Sequence, residues 1–183
     1  GAWTRLLIDV SAYAGQSVQL AFHLKDDGEY ADQGWGWYID DIEFIEGGLA
    51  YDLQDHFEAS GWARLPQLGG WNASAGTWEM GKPSGGAGVA ATGDFCAGTI
   101  LGGYYPPWAD SRLISAMVEL PNSPLDGKLW LTWKQWYSLA GGDSAIVEVS
   151  IAGGAWQPLE PSTAGSIGGW YDRREQRLHY LRH

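Results

Sequence analysis

The chain has 183 residues, a formal net charge of −11, 27 glycines, 12 tryptophans and one cysteine. The acidic balance argues against a nucleic-acid partner, because binding to a phosphate backbone needs a basic surface. A single cysteine excludes a disulfide framework within the chain, and Cys96 is expected to be a small buried apolar side chain. No apolar run approaches the ~20 residues of a membrane-spanning helix, so we expect no membrane span.

The first strand predicted along the chain covers residues 18–24, where apolar side chains alternate with polar or small ones. This period of two is typical of a strand with one face in a core and the other in water. Residues 13–16 precede the strand and contain a glycine, which favours a tight turn. Together with the abundance of glycine and aromatic residues, the pattern predicts an all-β fold.

The second predicted strand, residues 36–44, contains an acidic pair. Strict alternation places Trp37 and Asp41 on one side of this strand and Tyr38 and Asp40 on the other. Burying a carboxylate in an apolar, aromatic strand is costly unless it meets a cation or hydrogen-bond donors. Asp40 and Asp41 are therefore the best candidates for metal ligands.

Paired glycines divide the chain into two groups of predicted strands. Residues 47–55 are predicted to be a linker between residues 1–46 and residues 56–183, because the glycines interrupt the strand pattern. Within the second group, residues 83–93 are so rich in glycine that a surface loop is expected. The two groups are expected to form one sandwich together.

The last part of the chain contains the clearest strand patterns and an arginine-rich end. Residues 129–137 and 145–151 are separated by strong turn residues, which predicts a β-hairpin. For residues 172–183 an edge strand, a short helix and a frayed tail all remain open. Composition alone does not indicate a role for this end.

Short motifs in both groups resemble those of a known module. Residues 8–16 read Ile-Asp-Val-Ser-x-Tyr-x-Gly-Gln, and residues 36–42 read Gly-Trp-Tyr-Ile-Asp-Asp-Ile. Residues 57–62 read Phe-Glu-x-x-Gly-Trp, residues 78–83 read Trp-Glu-x-Gly-x-Pro, and residues 96–105 read Cys-Ala-Gly-Thr-x-Leu-x-Gly-x-Tyr. These motifs resemble a MAM-like jelly roll that accompanies secreted bacterial metalloproteases of the immune inhibitor A type. The module is similar to the cleaved-adhesin modules of gingipain-like proteins.

The resemblance implies a jelly-roll β-sandwich of two antiparallel sheets, but the order of its pieces is circularly permuted. In the family, strands like those of residues 1–46 follow the part that here occupies residues 56–183. Three arrangements are open: the first segment closes the sandwich of its own chain, closes that of a neighbour by strand exchange, or belongs to a second tandem module. Head-to-tail exchange between chains could extend into a fibre.

The resemblance also implies a structural calcium ion near the acidic pair. Carried onto this sequence, its ligands are Asp40, Asp41 and Glu58. Calcium takes about six to eight oxygen ligands, so acids of the preceding loop could complete the shell. These acids are Asp26, Asp27 and Asp32. The alternative is that this loop is a solvated acidic turn, and neither an EF-hand nor a zinc-binding spacing is present.

Tryptophans in loops rich in glycine and proline suggest a carbohydrate-binding surface, since exposed aromatic rings can stack on sugars. The candidates are Trp35, Trp71, Trp78 and Trp108. The alternative is that such residues only cap the edge of a sandwich. Catalysis has little support, because no Gly-x-Ser-x-Gly motif is present and the neighbours Asp40 and Asp41 are predicted to point to opposite faces of a strand.

We therefore expect a non-catalytic extracellular or cell-surface module, stabilised by calcium, that serves in adhesion, in assembly or as an accessory beside an enzyme. Its partner would be a polysaccharide or another surface protein. A carbohydrate-binding module is the alternative. A glycoside hydrolase and a strand-exchanged fibre subunit are further alternatives.

Overall fold

The computed structural model describes residues 2–28, 33–46, 49–58, 70–122, 124 and 127–159, with the backbone alone for residues 49–55. Among these residues the regular elements are strands, apart from a 3-10 turn at Ser11–Tyr13. The strands are β1 (Thr4–Asp9), β2 (Ser17–Lys25), β3 (Gly36–Glu46), β4 (Leu49–Asp55), β5 (Trp71–Ala73), β6 (Glu79–Gly81), β7 (Cys96–Gly98), β8 (Asp110–Ser115), β9 (Val118–Glu119), β10 (Leu129–Ser138), β11 (Ser144–Ile151) and β12 (Gln157–Pro158).

The described strands form two six-stranded sheets. Sheet A has the order β1-β10-β3-β7-β6, with β4 also paired to β3, and sheet B has the order β12-β11-β2-β8-β5, with β9 also paired to β2. Every one of these pairs is antiparallel. The prediction of an all-β sandwich of two antiparallel sheets is confirmed.

Strands from the start of the chain lie inside both sheets. β3 lies between β10 and β7 in sheet A, and β2 lies between β11 and β8 in sheet B. Leu131 of β10 is opposite Ile8 of β1 on one side and Phe44 of β3 on the other. The first 46 residues therefore share each sheet with strands from the later part of the same chain.

The predicted linker at residues 47–55 is wrong for most of its length. Residues Leu49–Asp55 form β4, which pairs with β3 so that Leu49 lies opposite Glu46 and Ala50 opposite Ile45. Paired glycines are typical of a connection between two antiparallel strands as well as of a linker. The glycines alone therefore did not distinguish the two cases.

The core lies between the sheets and is built on aromatic rings. Phe22 of β2 in sheet B is fully buried and contacts two tryptophans of sheet A. Its ring centroid lies 5.4 Å from that of Trp37 in β3 and 5.6 Å from that of Trp133 in β10. Edge-to-face contacts of this kind add to the large apolar area that such rings bury. Phe22 therefore joins the two sheets at the centre of the sandwich.

A smaller apolar cluster lies on the outer face of sheet A. It contains Tyr38, Cys96 and Trp136, and Cys96 is 0% exposed. The expectation that the cysteine is a buried apolar side chain is confirmed. Gly86, in the glycine-rich loop, packs so closely on this cluster that an added Cβ would lie 2.9 Å from the Trp136 ring.

Strand β3 contains a β-bulge at Asp41, whose φ of 49° lies in the left-handed region that aspartate tolerates better than most residues. Asp41 and Ile42 together lie opposite the single Trp133 of β10. A bulge moves the following side chains to the other face of the strand. Trp37 before the bulge and Ile42 after it both pack in the main core. The predicted strict alternation across residues 36–44 is therefore wrong from Asp41 onward.

Candidate functional site

Three carboxylates meet where β2 ends and β11 begins. One oxygen of each of Asp26, Asp27 and Asp143 lies within 4.8 Å of the other two. Asp26 and Asp143 are buried, whereas Asp27 is exposed. The sheet creates this arrangement because Lys25, the last residue of β2, pairs with Ser144, the first residue of β11. We call these three residues the acidic cluster.

Asp143 is held firmly within the acidic cluster. Its Oδ1 accepts a hydrogen bond from the backbone N–H of Asp27 at 3.0 Å, and its Oδ2 accepts one from the hydroxyl of Tyr105. The Tyr105 hydroxyl in turn accepts a hydrogen bond from the backbone N–H of Ala140 at 2.9 Å. Burial, together with the negative charges of Asp26 and Asp27, raises the pKa of Asp143.

Asp26 connects the acidic cluster to an exposed tryptophan. Its Oδ1 accepts hydrogen bonds from the backbone N–H groups of Gly28 at 2.8 Å and of Trp108 at 2.7 Å. Carboxylate oxygens at this spacing, without a nearby sulfur or imidazole ligand in the same group, suit a hard cation such as calcium. The residues present therefore fit a calcium ion. Asp26 and Asp27 were expected from the sequence to complete a calcium shell beside Asp40 and Asp41, whereas Asp143 was not expected as a ligand.

The bulge in β3 allows both carboxylates of the acidic pair to contact the same loop, at residues 91–92. Oδ2 of Asp40 accepts hydrogen bonds from the backbone N–H groups of Ala91 at 2.9 Å and Thr92 at 3.1 Å. Oδ1 of Asp41 accepts a hydrogen bond from the hydroxyl of the same Thr92. The two carboxylates thus share a neighbour, and the expectation that they point to opposite faces of the strand is wrong.

Asp41 has partners of opposite charge within the protein. Lys134 Nζ lies 2.7 Å from its Oδ2, and His56 Nδ1 lies 2.7 Å from its Oδ1. Burial works to raise the pKa of Asp41, but hydrogen bonds from Lys134, Thr92 and His56 hold it below the ordinary value. The contact with Asp41 also raises the pKa of His56.

Asp40 has a different environment. Its side chain is fully buried and is bonded to backbone N–H groups. Burial is the main cause that raises the pKa of Asp40 to about 7, and the negative charge of Asp41 adds to it. One aspartate of the pair is thus held as an anion while the other gains a proton easily.

The carboxylate of Glu58 contacts the same loop, residues 91–95, as the acidic pair does. Asp27 lies instead in the acidic cluster. The Glu58 carboxylate accepts hydrogen bonds from the backbone N–H groups of Asp94 at 3.1 Å and Phe95 at 3.3 Å. The structure therefore places Asp40, Asp41 and Glu58 around residues 91–95, where their partners are protein donors. Calcium binding by this set stays a prediction, and Asp32 lies outside the described residues.

Two of the four tryptophans proposed to bind sugars lie in the core. Trp71 and Trp78 are each 2% exposed, and Trp71 contacts Phe22 at 5.9 Å between ring centroids. Trp71 begins the short strand β5, which pairs with β8 and turns this ring inward. Buried rings have no face for a sugar, so the prediction is corrected for these two residues.

The other two tryptophans lie near the surface. Trp108 is 65% exposed, whereas Trp35 is half-buried beneath Tyr104, with ring centroids 4.5 Å apart. Tyr104 is 56% exposed and was missed in the sequence analysis. The signal that could have found it is the pattern Tyr-Tyr-Pro-Pro-Trp at residues 104–108, in which prolines separate aromatic residues.

Comparison with known proteins gives a partial likeness. No family model matches the chain, and no solved structure matches it. Bacillopeptidase F of Bacillus subtilis (strain 168) is 40% identical over 73 residues, which are 39% of this chain and 5% of that protein. The chain thus resembles a small part of a protein whose name denotes a peptidase. In the described part of the chain, no helix has both the length and the apolar character needed to cross a bilayer.

Proposed function

We propose that the chain is a non-catalytic accessory module of an extracellular bacterial protein, located beside a catalytic unit that it does not itself contain. The observation that carries this proposal is the likeness to Bacillopeptidase F, in which the matching stretch is only 5% of the protein's length. A matching stretch that makes up so small a fraction of the protein suits an appended module better than a catalytic unit. The motifs that resemble MAM-like modules of secreted metalloproteases support the same location.

The contacts of the described histidines support a structural role. Nε2 of His23 in β2 lies 2.7 Å from Asp110 in β8, and its Nδ1 lies 3.3 Å from Glu148 in β11. His56 contacts Asp41 of β3. Nε2 of His23 thus forms a hydrogen bond with a carboxylate of the neighbouring strand β8, and His56, which follows β4, forms one with a carboxylate of β3.

The absence of catalysis is tested with the chain as it exists. We expect no turnover of casein, of p-nitrophenyl esters or of a panel of polysaccharides above a buffer control. Turnover that disappears in the Asp40→Asn or His23→Gln variant, with the melting temperature unchanged, would contradict the proposal. We include adhesion to another surface protein in this proposal, because accessory modules commonly position an enzyme on a surface.

We further propose that the acidic cluster holds a structural calcium ion. Two of its three carboxylates are buried, and burial, together with the negative charges of Asp26 and Asp27, raises the pKa of Asp143. A divalent cation would compensate these charges, and backbone carbonyls or water would complete its shell. The binding energy of the ion would stabilise the end of the sandwich where β2 ends and β11 begins. The ion would have no catalytic role.

A second function, carbohydrate binding, is favoured by one observation. Trp108 is 65% exposed, although a tryptophan ring exposed to that degree gives up much of the apolar burial it could gain. Its backbone N–H is fixed by Asp26, so the ring is presented from an ordered loop. A rigid exposed indole is the kind of surface on which a sugar ring can stack.

A further inference from the structure

Residues 104–108 form a ridge in which exposed and buried side chains alternate. Tyr104, Pro106 and Trp108 are exposed, whereas Tyr105 is fully buried. The two prolines fix the backbone torsion φ at two of the five residues of the ridge. The ridge therefore presents two aromatic rings from a stiff segment.

The ridge is anchored from beneath at Tyr105 and Trp108. The buried hydroxyl of Tyr105 donates a hydrogen bond to Asp143 and accepts one from Ala140. The backbone N–H of Trp108 donates to Oδ1 of Asp26 at 2.7 Å. These contacts fix the ridge to the end of sheet B where the acidic cluster lies.

Each exposed ring is backed by the protein on one side. The ring of Tyr104 rests on Trp35, which itself lies on Gly85, where a Cβ would come within 2.7 Å of the indole. The ring of Trp108 lies on Gly28, where a Cβ would come within 2.3 Å of it. Only glycine permits such close approach of a ring to the backbone. Both rings are thus oriented before any ligand arrives.

The spacing of the two exposed rings and the net charge of the chain favour one class of ligand. The two rings are four positions apart in the sequence, so their Cα atoms lie at most about 14 Å apart. A linear polysaccharide can lay the apolar faces of successive sugar rings on two such rings. The net charge of −11 repels an anionic polymer and so favours a neutral one.

We propose that Tyr104 and Trp108 form the binding site for a neutral polysaccharide, and that Trp35 is a positioning residue that holds the Tyr104 ring. The inference rests on the carbohydrate-binding function proposed above and names its site and ligand class. It adds Tyr104, which contacts the ligand directly. It also moves Trp35 from the binding surface to a supporting position.

The test is affinity electrophoresis of the whole chain in native gels that contain hydroxyethyl cellulose, galactomannan or a soluble β-1,3-glucan. We expect retardation by at least one of these polymers and none by carboxymethyl cellulose, the anionic counterpart of the first. Tyr104→Ala and Trp108→Ala are each expected to weaken the interaction about tenfold, the loss of about one ring contact. Val89→Ala, a change at another exposed apolar residue, is the matched control.

The outcomes separate the site from the function. If no neutral polymer retards the wild-type chain, carbohydrate binding and the site are both wrong. If the wild-type chain is retarded and the Tyr104→Ala and Trp108→Ala variants are retarded equally, carbohydrate binding stands and this site is wrong. If Tyr104→Ala loses the native near-ultraviolet spectrum, Tyr104→Leu replaces it. Leucine keeps an apolar cover over Trp35 but lacks the flat ring of tyrosine.

The role of Trp35 is tested by rescue. Trp35→Ala removes the support of the Tyr104 ring and is expected to weaken binding, whereas Trp35→Phe retains a flat support and is expected to restore most of it. A purely structural role would instead lower the melting temperature of both variants and leave the affinity of their folded fraction unchanged. That result would overturn the positioning role.

Discussion

Lys134 Nζ lies 2.7 Å from Oδ2 of Asp41, the residue at which β3 bulges. The lysine comes from the neighbouring strand β10 and lies two-thirds buried beside a carboxylate that is almost fully buried. Lys134 thus places a cation beside Asp41, the member of the acidic pair whose pKa is lowered. The pair therefore explains how sheet A accommodates an acidic dipeptide in one of its inner strands.

Removal of the lysine is expected to destabilise the fold. In the Lys134→Met variant Asp41 keeps its negative charge next to Asp40 without its main partner. Loss of one member of a buried ion pair costs several kcal/mol, and because Lys134 is one-third exposed we expect a smaller loss, about 2 kcal/mol. Urea unfolding followed by tryptophan fluorescence measures it.

The control for this variant is the pair Lys82–Asp94, whose side chains are 71% and 67% exposed. The Lys82→Met variant is expected to unfold at the wild-type urea concentration. Equal midpoints for Lys134→Met and Lys82→Met would show that Lys134 does not compensate a buried charge.

Stability is expected to fall as the pH rises from weakly acidic to neutral. Burial raises the pKa of Asp40 from 3.8 to about 7, so in this range the folded state holds a proton that the unfolded chain has lost. The raised pKa of His56 acts in the same direction, because its stabilising charge is lost as the pH rises through that pKa. The free energy of unfolding, measured at a series of pH values, should therefore decline over this range.

The Asp40→Asn variant provides the check on this pH dependence, since it cannot ionise at that position. We expect it to flatten the decline, while Asp94→Asn, a change at an exposed residue, should leave the profile as it is. At lower pH the lowered pKa of Asp41 acts in the opposite sense, and its contribution is lost on acidification. A wild-type stability that increases steadily up to neutral pH would refute the assignment of a proton to Asp40.

Chelation is expected to lower the melting temperature. If calcium occupies the acidic cluster, EDTA removes a ligand that binds only the folded state, and the loss grows with the ratio of free calcium to Kd. The difference between melts in calcium and in EDTA should vanish in Asp143→Asn and persist in Asp94→Asn. Differential scanning calorimetry measures both.

The same experiment distinguishes the two candidate locations of the ion. A calcium effect that survives in Asp143→Asn but vanishes in Glu58→Gln would assign the ion to the set of Asp40, Asp41 and Glu58. A wild-type melt that does not respond to EDTA at all would remove calcium from both places.

The chain is expected to be a monomer of 19.9 kDa in solution. β2 and β3 occupy inner positions of the two sheets and pair with strands of the same chain, so the sandwich closes without a neighbour. Size-exclusion chromatography with light scattering measures the mass. A series of multiples that grows with concentration would instead indicate head-to-tail strand exchange.

Local patterns were sufficient to predict the class of fold. Alternation in residues 18–24 and 145–151 predicted two strands that lie side by side as β2 and β11. The burial of Cys96 was also predictable, because a lone cysteine usually behaves as a small apolar residue. Such features depend on neighbours along the chain, and the sequence contains that information directly.

The site depended on contacts that no local pattern contains. Asp27 and Asp143 are separated by 116 positions and meet only because β2 and β11 are antiparallel neighbours. One extra residue in β3 reversed the alternation at Asp41, so that both acids of the pair contact one loop. The burial of Trp71 likewise follows from the pairing of β5 with β8. Pairing and register between distant segments are set by the packing of the whole sandwich, so only the assembled sheets decided which acids and which rings lie together.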